Sequence, residues 1–431
     1  MISVLNNFFL FIIMNTIKPI EEGILKVGIG KYGSEPIPNE LADLIIKEIE
    51  NPEVPSIQKG AFIGALFLKG FESEGEKKIQ KYFNLFSPND IIEHFCFYVK
   101  NYHKDLLVIL HKLLSQQILS IEESYLVGKF LFSNDVPENQ EFEIGMITSI
   151  FRFRYETIEE YVGLLKSIED LFDKKWFSLP KEIQHKTVIL TEPFDGVERS
   201  FMFTPLIGNL LIKYNLTPIY IVSDNPGPKF HYNLKDLAIK LNAPFVGSTE
   251  ELIEKSKDAY PYGVFIDIKD LSPILTRWIH RRKLLKKRPF LATLERIYNP
   301  INASIQIFSA FHPPYLEKTS EVLKFKNTPV ILGIRRGEEG GLTFSFNKKY
   351  ETLLSVRKNQ EYVTKSNTYF MASTTKLDFV PSIEDNKRII ESYLNQHLKD
   401  LDNFDKEIKN YLELQIQKTL EVFKHFINQI E

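Results

Sequence analysis

Cysteine is almost absent from this chain. The single Cys96 among 431 residues cannot form an internal disulfide. It lies in the apolar run IIEHFCFYV, which reads as a packed thiol rather than a nucleophile. A chain built this way is expected in a reducing compartment, the cytoplasm. An excess of either charge is also lacking: 54 Lys and Arg stand against 56 Asp and Glu, a formal charge of -2. That balance excludes a chain-wide basic field, so any site for a polyanion must be a local patch. No Gly-x-Ser-x-Gly turn and no zinc-ligand spacing occur, which argues against those two chemistries. The N-terminal run MISVLNNFFLFIIM falls short of the roughly 20 apolar residues that span a bilayer. It has no Lys or Arg before it and no small-residue cleavage site after it, so it makes a poor secretion signal. Met14 offers a later start; residues 1–16 are expected to be an extension, and no membrane is expected as a partner.

What is present is an ordinary globular composition, 43% apolar and 26% charged, over a length that suggests two or three domains. GILKVGIGKYG (23–33) has dinucleotide-loop glycine spacing, but no useful strand precedes it, and it reads as a lead-in to a helical domain. From 37 to about 175, apolar residues recur at helical spacing between polar breaks. IPNELADLIIKEIENPEVPSIQ (37–58) and LSIEESYLVGKFLFSNDVPENQ (119–140) share a helix, a Val-Pro break and a Gln, while GFESEGE parallels RYETIEE. This internal echo predicts two related helical modules, about 37–80 and 119–172, within a helical domain covering 17–178. Near 180 the period changes. TVIL, PIYIVSD, GVFIDI, SIQIFSAF and PVILGIRR are short β-rich runs with helical stretches between most of them. Alternation of this kind predicts an α/β domain, 179–382, with a mainly parallel sheet flanked by helices. Residues 383–431 read as two closing helices packing on it. Ligands of such sheets bind at the carboxyl ends of the strands.

IQKGAFIGALFLKGFESE, TEPFDG, AFHPPYLEKTSEVL and the closing helices around Asn386 resemble, in that order, the anthranilate phosphoribosyltransferase and pyrimidine nucleoside phosphorylase relatives. GKYGSEPIP, FDGVERSFMFTPL, TLERIYNP and RRGEEGG look closer to a divergent branch whose members bind nucleic acid. The resemblance implies a helical plus an α/β domain, a homodimer, and a cleft for phosphoribosyl pyrophosphate with magnesium.

Three elements serve that cleft in the family, and each is altered here. The glycine-rich turn that cradles pyrophosphate is represented by TEPFDG. Asp195 and Gly196 persist, but Thr191, Pro193 and Phe194 stand where glycines would be, and proline lacks a donor while phenylalanine blocks the approach. Thr204 on the following helix is a candidate anion contact, though capping or packing that helix is the commoner use of such a hydroxyl. The cationic segment after the second strand is SDNPGPKFHYN, where Lys229 is displaced and reads as a solvated loop lysine. The magnesium-holding Asp-Glu pair is replaced within RRGEEGGLTFSF, where only Glu338 and Glu339 remain, out of register.

The densest charge feature is TRWIHRRKLLKKR (276–288), with Arg277, Arg281, Arg282, Lys283, Lys286, Lys287 and Arg288 and no acid. It reads as a basic helix whose cations face phosphates, with Trp278 in the core. Arg335 and Arg336 follow the last parallel strand and should sit at its carboxyl edge; juxtaposed with 277–288 in a dimer they would form a basic groove. The sequence therefore predicts a non-catalytic or weakly catalytic protein that binds nucleic acid, possibly single-stranded, with Asp195, Gly196, Thr204 and Lys229 as a remnant phosphate site and no cofactor. The competing expectation is a magnesium-dependent phosphoribosyltransferase or nucleoside phosphorylase-type glycosyltransferase.

Overall fold

Five β-rich runs become five parallel strands: β1 Thr187–Leu190, β2 Thr217–Val222, β3 Val264–Asp267, β4 Ile305–Ala310 and β5 Val330–Arg335. Their side chains are almost all buried, as expected for strands covered on both faces. An antiparallel hairpin, β6 Tyr350–Lys358 and β7 Glu361–Tyr369, extends the sheet to the order β3-β2-β1-β4-β5-β6-β7. This is the computed structural model of the chain, and it describes residues 17–430 except 29, 31–32, 257–259, 376 and 397–403. The expected extension over 1–16 lies outside the described residues. Among the described residues, no helix is long and apolar enough to cross a membrane.

Contacts group the chain into two units. One comprises residues up to Glu160 together with Arg281–Phe290; the other comprises Tyr161–His280 and Leu291–Glu431. The mainly parallel α/β architecture with an added helical part is thus the fold that the sequence predicts.

In the helical unit, Asn39–Glu50, Ser56–Lys69 and Glu74–Tyr82 find their counterparts in Ile121–Leu131, Phe142–Arg154 and the helix that begins at Ile158. The parallel extends to buried carboxylates. Glu76 accepts from the N–H groups of Ile37 and Ser73 and from the Lys69 ammonium, at 3.1, 2.8 and 2.8 Å. Glu160 accepts from the N–H groups of Leu119 and Thr157, at 3.0 and 2.9 Å, and pairs with Arg154. Each glutamate fastens the entry loop of its module to the third helix, and burial makes both bonds and counter-charge obligatory.

The middle helices of the two modules meet at glycines. A Cβ on Gly60 would lie 1.8 Å from the Phe142 carbonyl oxygen, and one on Gly145 would lie 1.9 Å from that of Ile57. Only glycine allows the backbones this approach.

The α/β unit buries one core beneath the sheet. Val188, Leu190, Ile305 and Ile307 of β1 and β4 pack with Leu206, Leu210 and Leu211 of the helix Thr204–Lys213, and with Leu412, Ile416 and Phe423 of the helix Lys406–Ile430. The parallel strands bring the loops after β1, β2, β4 and β5 to one edge of the sheet.

Gly145→Ala is expected to cost about 3 kcal/mol, the range for forcing apart a packed interior. Denaturant unfolding of the variant and the parent checks it.

Candidate functional site

The turn after β1 is rigidly built. The Gly196 N–H donates to Pro193 O at 2.9 Å, and Gly196 adopts φ +67. A Cβ there would lie 2.0 Å from the Tyr232 carbonyl oxygen. The Asn233 amide donates to Phe194 O and Ser223 O, both at 2.8 Å, tying the turn to the loop after β2. Asp195 is buried. Asn386, on the helix Ile383–Leu394, accepts from the Met202 N–H at 2.9 Å. Asp195 and Gly196 therefore sit in a fixed turn whose glycine is required by backbone crowding rather than by a ligand.

Two carboxylates fill this edge. Glu192 is buried; its Oε1 accepts from the Leu342 N–H at 3.0 Å and from the Thr204 hydroxyl. Burial raises the Glu192 pKa, opposed by the hydrogen bonds from Thr204 and Leu342 and by the charges of Arg296 and Lys229. Thr204 is thus a packing hydroxyl committed to an internal acid.

Glu339 occupies a nest of donors. Its carboxylate accepts from the N–H of Glu198 at 2.9 Å, the N–H of Arg199 at 2.7 Å and the hydroxyl of Ser200 at 2.6 Å. The Lys229 ammonium closes the set at 2.7 Å and also donates to Gly196 O and Glu339 O, both at 3.2 Å. Burial alone would push the Glu339 carboxyl up; Lys229, Ser200 and the Arg199 N–H outweigh it and hold the pKa at about 2. Glu339 reaches the nest from a left-handed backbone, φ 47, which ordinarily costs a non-glycine residue about 1 kcal/mol. Converging N–H groups beside an ammonium make an anion site, and here the anion is covalently part of the chain. The expectation of a solvated Lys229 is corrected: its side chain is 13% exposed, because it neutralises Glu339.

The same observation bears on magnesium. Both Glu339 oxygens are engaged by N–H, hydroxyl and ammonium donors. Glu338 is half-buried, and burial raises its pKa. Thr343 accepts from the Phe203 N–H at 3.0 Å. These residues do not fit a divalent cation, which requires carboxylate oxygens facing one centre. Among the described residues, no group of three or more His, Cys, Asp or Glu side chains could hold a metal ion.

The basic segment differs from its expected form. The helix is Pro273–Leu285, and the chain reverses at Lys286 with φ +56, so Lys286, Lys287 and Arg288 lie beyond it. Arg281 and Arg282 are buried, with Arg281 bonded to Glu141 at 2.9 Å and to Leu131 O at 2.9 Å. Lys287 donates to Ser149 Oγ at 2.8 Å, and its pKa is lowered to about 7 by burial and then by Arg152. These three cations are withdrawn from the expected surface because the charged heads fold inward onto the helical unit. Lys283 and Lys286 are exposed, the latter 3.2 Å from Glu21, while Arg277 and Arg288 are half-buried. At the sheet edge Arg335 is paired with Glu351, and Arg336 is half-buried with φ +61. Trp278 is buried, as expected.

The sequence does not single out Glu192, although a glutamate two residues beyond TVIL, just past a strand end, is a cue; it presents Glu339 only as a displaced metal ligand.

No family model matches the chain. An uncharacterized protein of Aquifex aeolicus (strain VF5) is 24% identical over 235 residues, 52% of this chain and 65% of that protein, so the match spans less than two thirds of the relative. Among solved structures, anthranilate phosphoribosyltransferase from Thermus thermophilus is similar with a TM-score of 0.50 and 14% identity, over 66% of this chain and 82% of that one. The Saccharomyces cerevisiae anthranilate phosphoribosyltransferase is 12% identical over 75% of this chain and 97% of that one, with a TM-score of 0.47. The Thermus structure shows that this chain shares the anthranilate phosphoribosyltransferase fold. At that identity the likeness is one of fold, and function rests on the site.

Two outcomes follow for stability. The Glu339 pKa lies below its ordinary 4.5, so its contribution is present above that value and is lost as pH falls toward about 2. Glu339→Gln should therefore cost about 3 kcal/mol at pH 7, with the difference shrinking across that acid window. The lowered Lys287 pKa has the opposite sense: the unfolded chain binds the extra proton between about 7 and 10.5, so stability rises with pH through that range. Lys287→Met should stabilise by about 2 kcal/mol at pH 7, and the gain should fade toward pH 10 in urea unfolding.

Proposed function

We propose that this chain is a non-catalytic member of the anthranilate phosphoribosyltransferase fold that binds nucleic acid. The observation that carries the non-catalytic half is Glu339 within the N–H groups of Glu198 and Arg199, with Ser200 and Lys229 completing the nest. Transfer from phosphoribosyl pyrophosphate develops charge on a leaving pyrophosphate, which requires donors or a metal. Here the available donors hold an internal carboxylate, and Glu192 adds a second negative group under the turn. An incoming phosphate would meet repulsion where the family reading requires attraction.

The binding half is supported by the cations that still reach solvent: Lys283 and Lys286 in the basic segment, with Arg277, Arg288 and Arg336 half-buried. The nucleic-acid-binding branch that the sequence resembles points the same way. Contacts of this kind hold phosphates without reading sequence and weaken steeply with salt.

Two measurements test the two halves. Calorimetric titration with phosphoribosyl pyrophosphate and magnesium is expected to give no binding heat; saturable, magnesium-dependent binding would overturn the non-catalytic reading. Anisotropy of a labelled single-stranded oligonucleotide is expected to show binding at about 50 mM salt that falls by orders of magnitude at about 200 mM. The double variant Lys283→Glu, Lys286→Glu should weaken it about 10-fold and flatten the salt dependence.

A further inference from the structure

The hairpin leaves one side of the sheet open. β7 ends the strand order, and among the described residues no strand pairs with its outer side. Val363, Thr364, Lys365, Ser366 and Thr368 are exposed along it. A long edge with a solvent-facing valine is a template for another strand.

The hairpin also fixes which groups that edge offers. Its two-residue turn, Asn359 and Gln360 with φ 49 and 72, closes on the pair Lys358 and Glu361. The pair flanking such a turn exchanges both N–H···O bonds, and pairs alternate from there. The N–H and C=O groups of Glu361, Val363 and Lys365 therefore turn toward β6, and those of Tyr362, Thr364, Ser366 and Thr368 turn outward. The strand is held from behind: the Tyr362 hydroxyl donates to Thr328 O at 2.9 Å, and the Thr364 hydroxyl lies 2.9 Å from that of Ser355. An incoming strand meets an edge that is already ordered.

Charge selects the occupant. The strand EYVTKSNTY carries one acid and one base, Glu361 and Lys365. Among the described residues neither forms an ion pair in its own chain, although Lys358 stands across the hairpin from Glu361. A lysine midway along an edge ordinarily guards it. Lys365 does so against a copy of β7 laid antiparallel with the axis on Lys365, where two ammonium groups would stand directly opposite. An axis on Val363 has the reverse effect. Each Glu361 then opposes the Lys365 of the other copy, Val363 faces Val363 on the axis, and the outward groups of Tyr362 and Thr364 bond to each other. This is the one two-fold register in which the strand's charges meet. An axis on Thr364 sets Lys365 against Val363, and one on Ser366 sets Glu361 against Met371.

We propose that two copies of this chain associate through β7, paired antiparallel about Val363, so that their seven-stranded sheets run on as one across the axis. The contact is isologous, each residue serving both sides. It does not depend on the nucleic-acid reading.

Sedimentation velocity of the full chain from about 1 to 100 μM, the range over which a micromolar Kd is read, should show monomer giving way to dimer. Glu361→Lys and Lys365→Glu, each alone, set like charges opposite and are expected to weaken the dimer at least about 10-fold. The double exchange Glu361→Lys, Lys365→Glu restores the opposition and should return the parental Kd, which a misfolded variant could not do. Cross-linking reads the register. Val363→Cys puts two thiols on the axis at a non-hydrogen-bonded pair, whose Cα atoms lie about 4.5 Å apart, within disulfide range. Oxidation with diamide is expected to give a covalent dimer of this variant; Lys365→Cys, well off the axis, should give none, and the buried Cys96 takes no part. A chain that stays monomeric over the whole range, or a dimer indifferent to both single reversals, would overturn the proposal. So would failure of the double exchange to restore the dimer, or cross-linking at Lys365→Cys in place of Val363→Cys.

Discussion

A carboxylate removed from bulk water must find donors or lose its charge, and the edge of this sheet is organised around satisfying Glu339. Its partners come from two separate stretches, Glu198, Arg199 and Ser200 after β1 and Lys229 after β2, and are drawn to its own loop after β5. The bond set thus staples together the very loops that an α/β sheet normally leaves open for a ligand. Strong, charge-assisted hydrogen bonds hold the staple closed and draw its pKa far down. The left-handed backbone at Glu339 is tolerated because these bonds offset its cost.

Glu192 continues the same logic one layer deeper. It joins the end of β1 to Leu342 and to Thr204, so the turn after the strand, the loop after β5 and the start of the helix Thr204–Lys213 share one buried acid. A cradle for pyrophosphate requires open glycine backbone and spare donors. This edge has a phenylalanine and a proline in the turn and carboxylates on the donors. The donors at this edge are committed to internal carboxylates, Glu339 and Glu192.

The helical unit shows a related economy. Glu76 and Glu160 anchor equivalent loops of two modules, and Gly60 and Gly145 let the middle helices touch. Arg281 and Lys287, which as sequence look like surface charge, are instead consumed inside this unit by Glu141, Leu131 and Ser149. Charge density along a chain is therefore a poor guide to charge density on a surface. A long side chain can carry its head inward when a partner waits there, and nothing in TRWIHRRKLLKKR reveals the distant Glu141.

By itself the sequence determined the mainly parallel sheet and the helices that flank it. Both follow from periodicity and β-branched runs, which act locally along the chain. It also brought Lys229, Thr204 and Glu339 under suspicion, one at a time. Only the tertiary structure decided what they do: Lys229 meets Glu339 and Thr204 meets Glu192, partners 110 and 12 residues away in sequence. Pairing and burial depend on distances between loops, and strand order, not local composition, sets those distances.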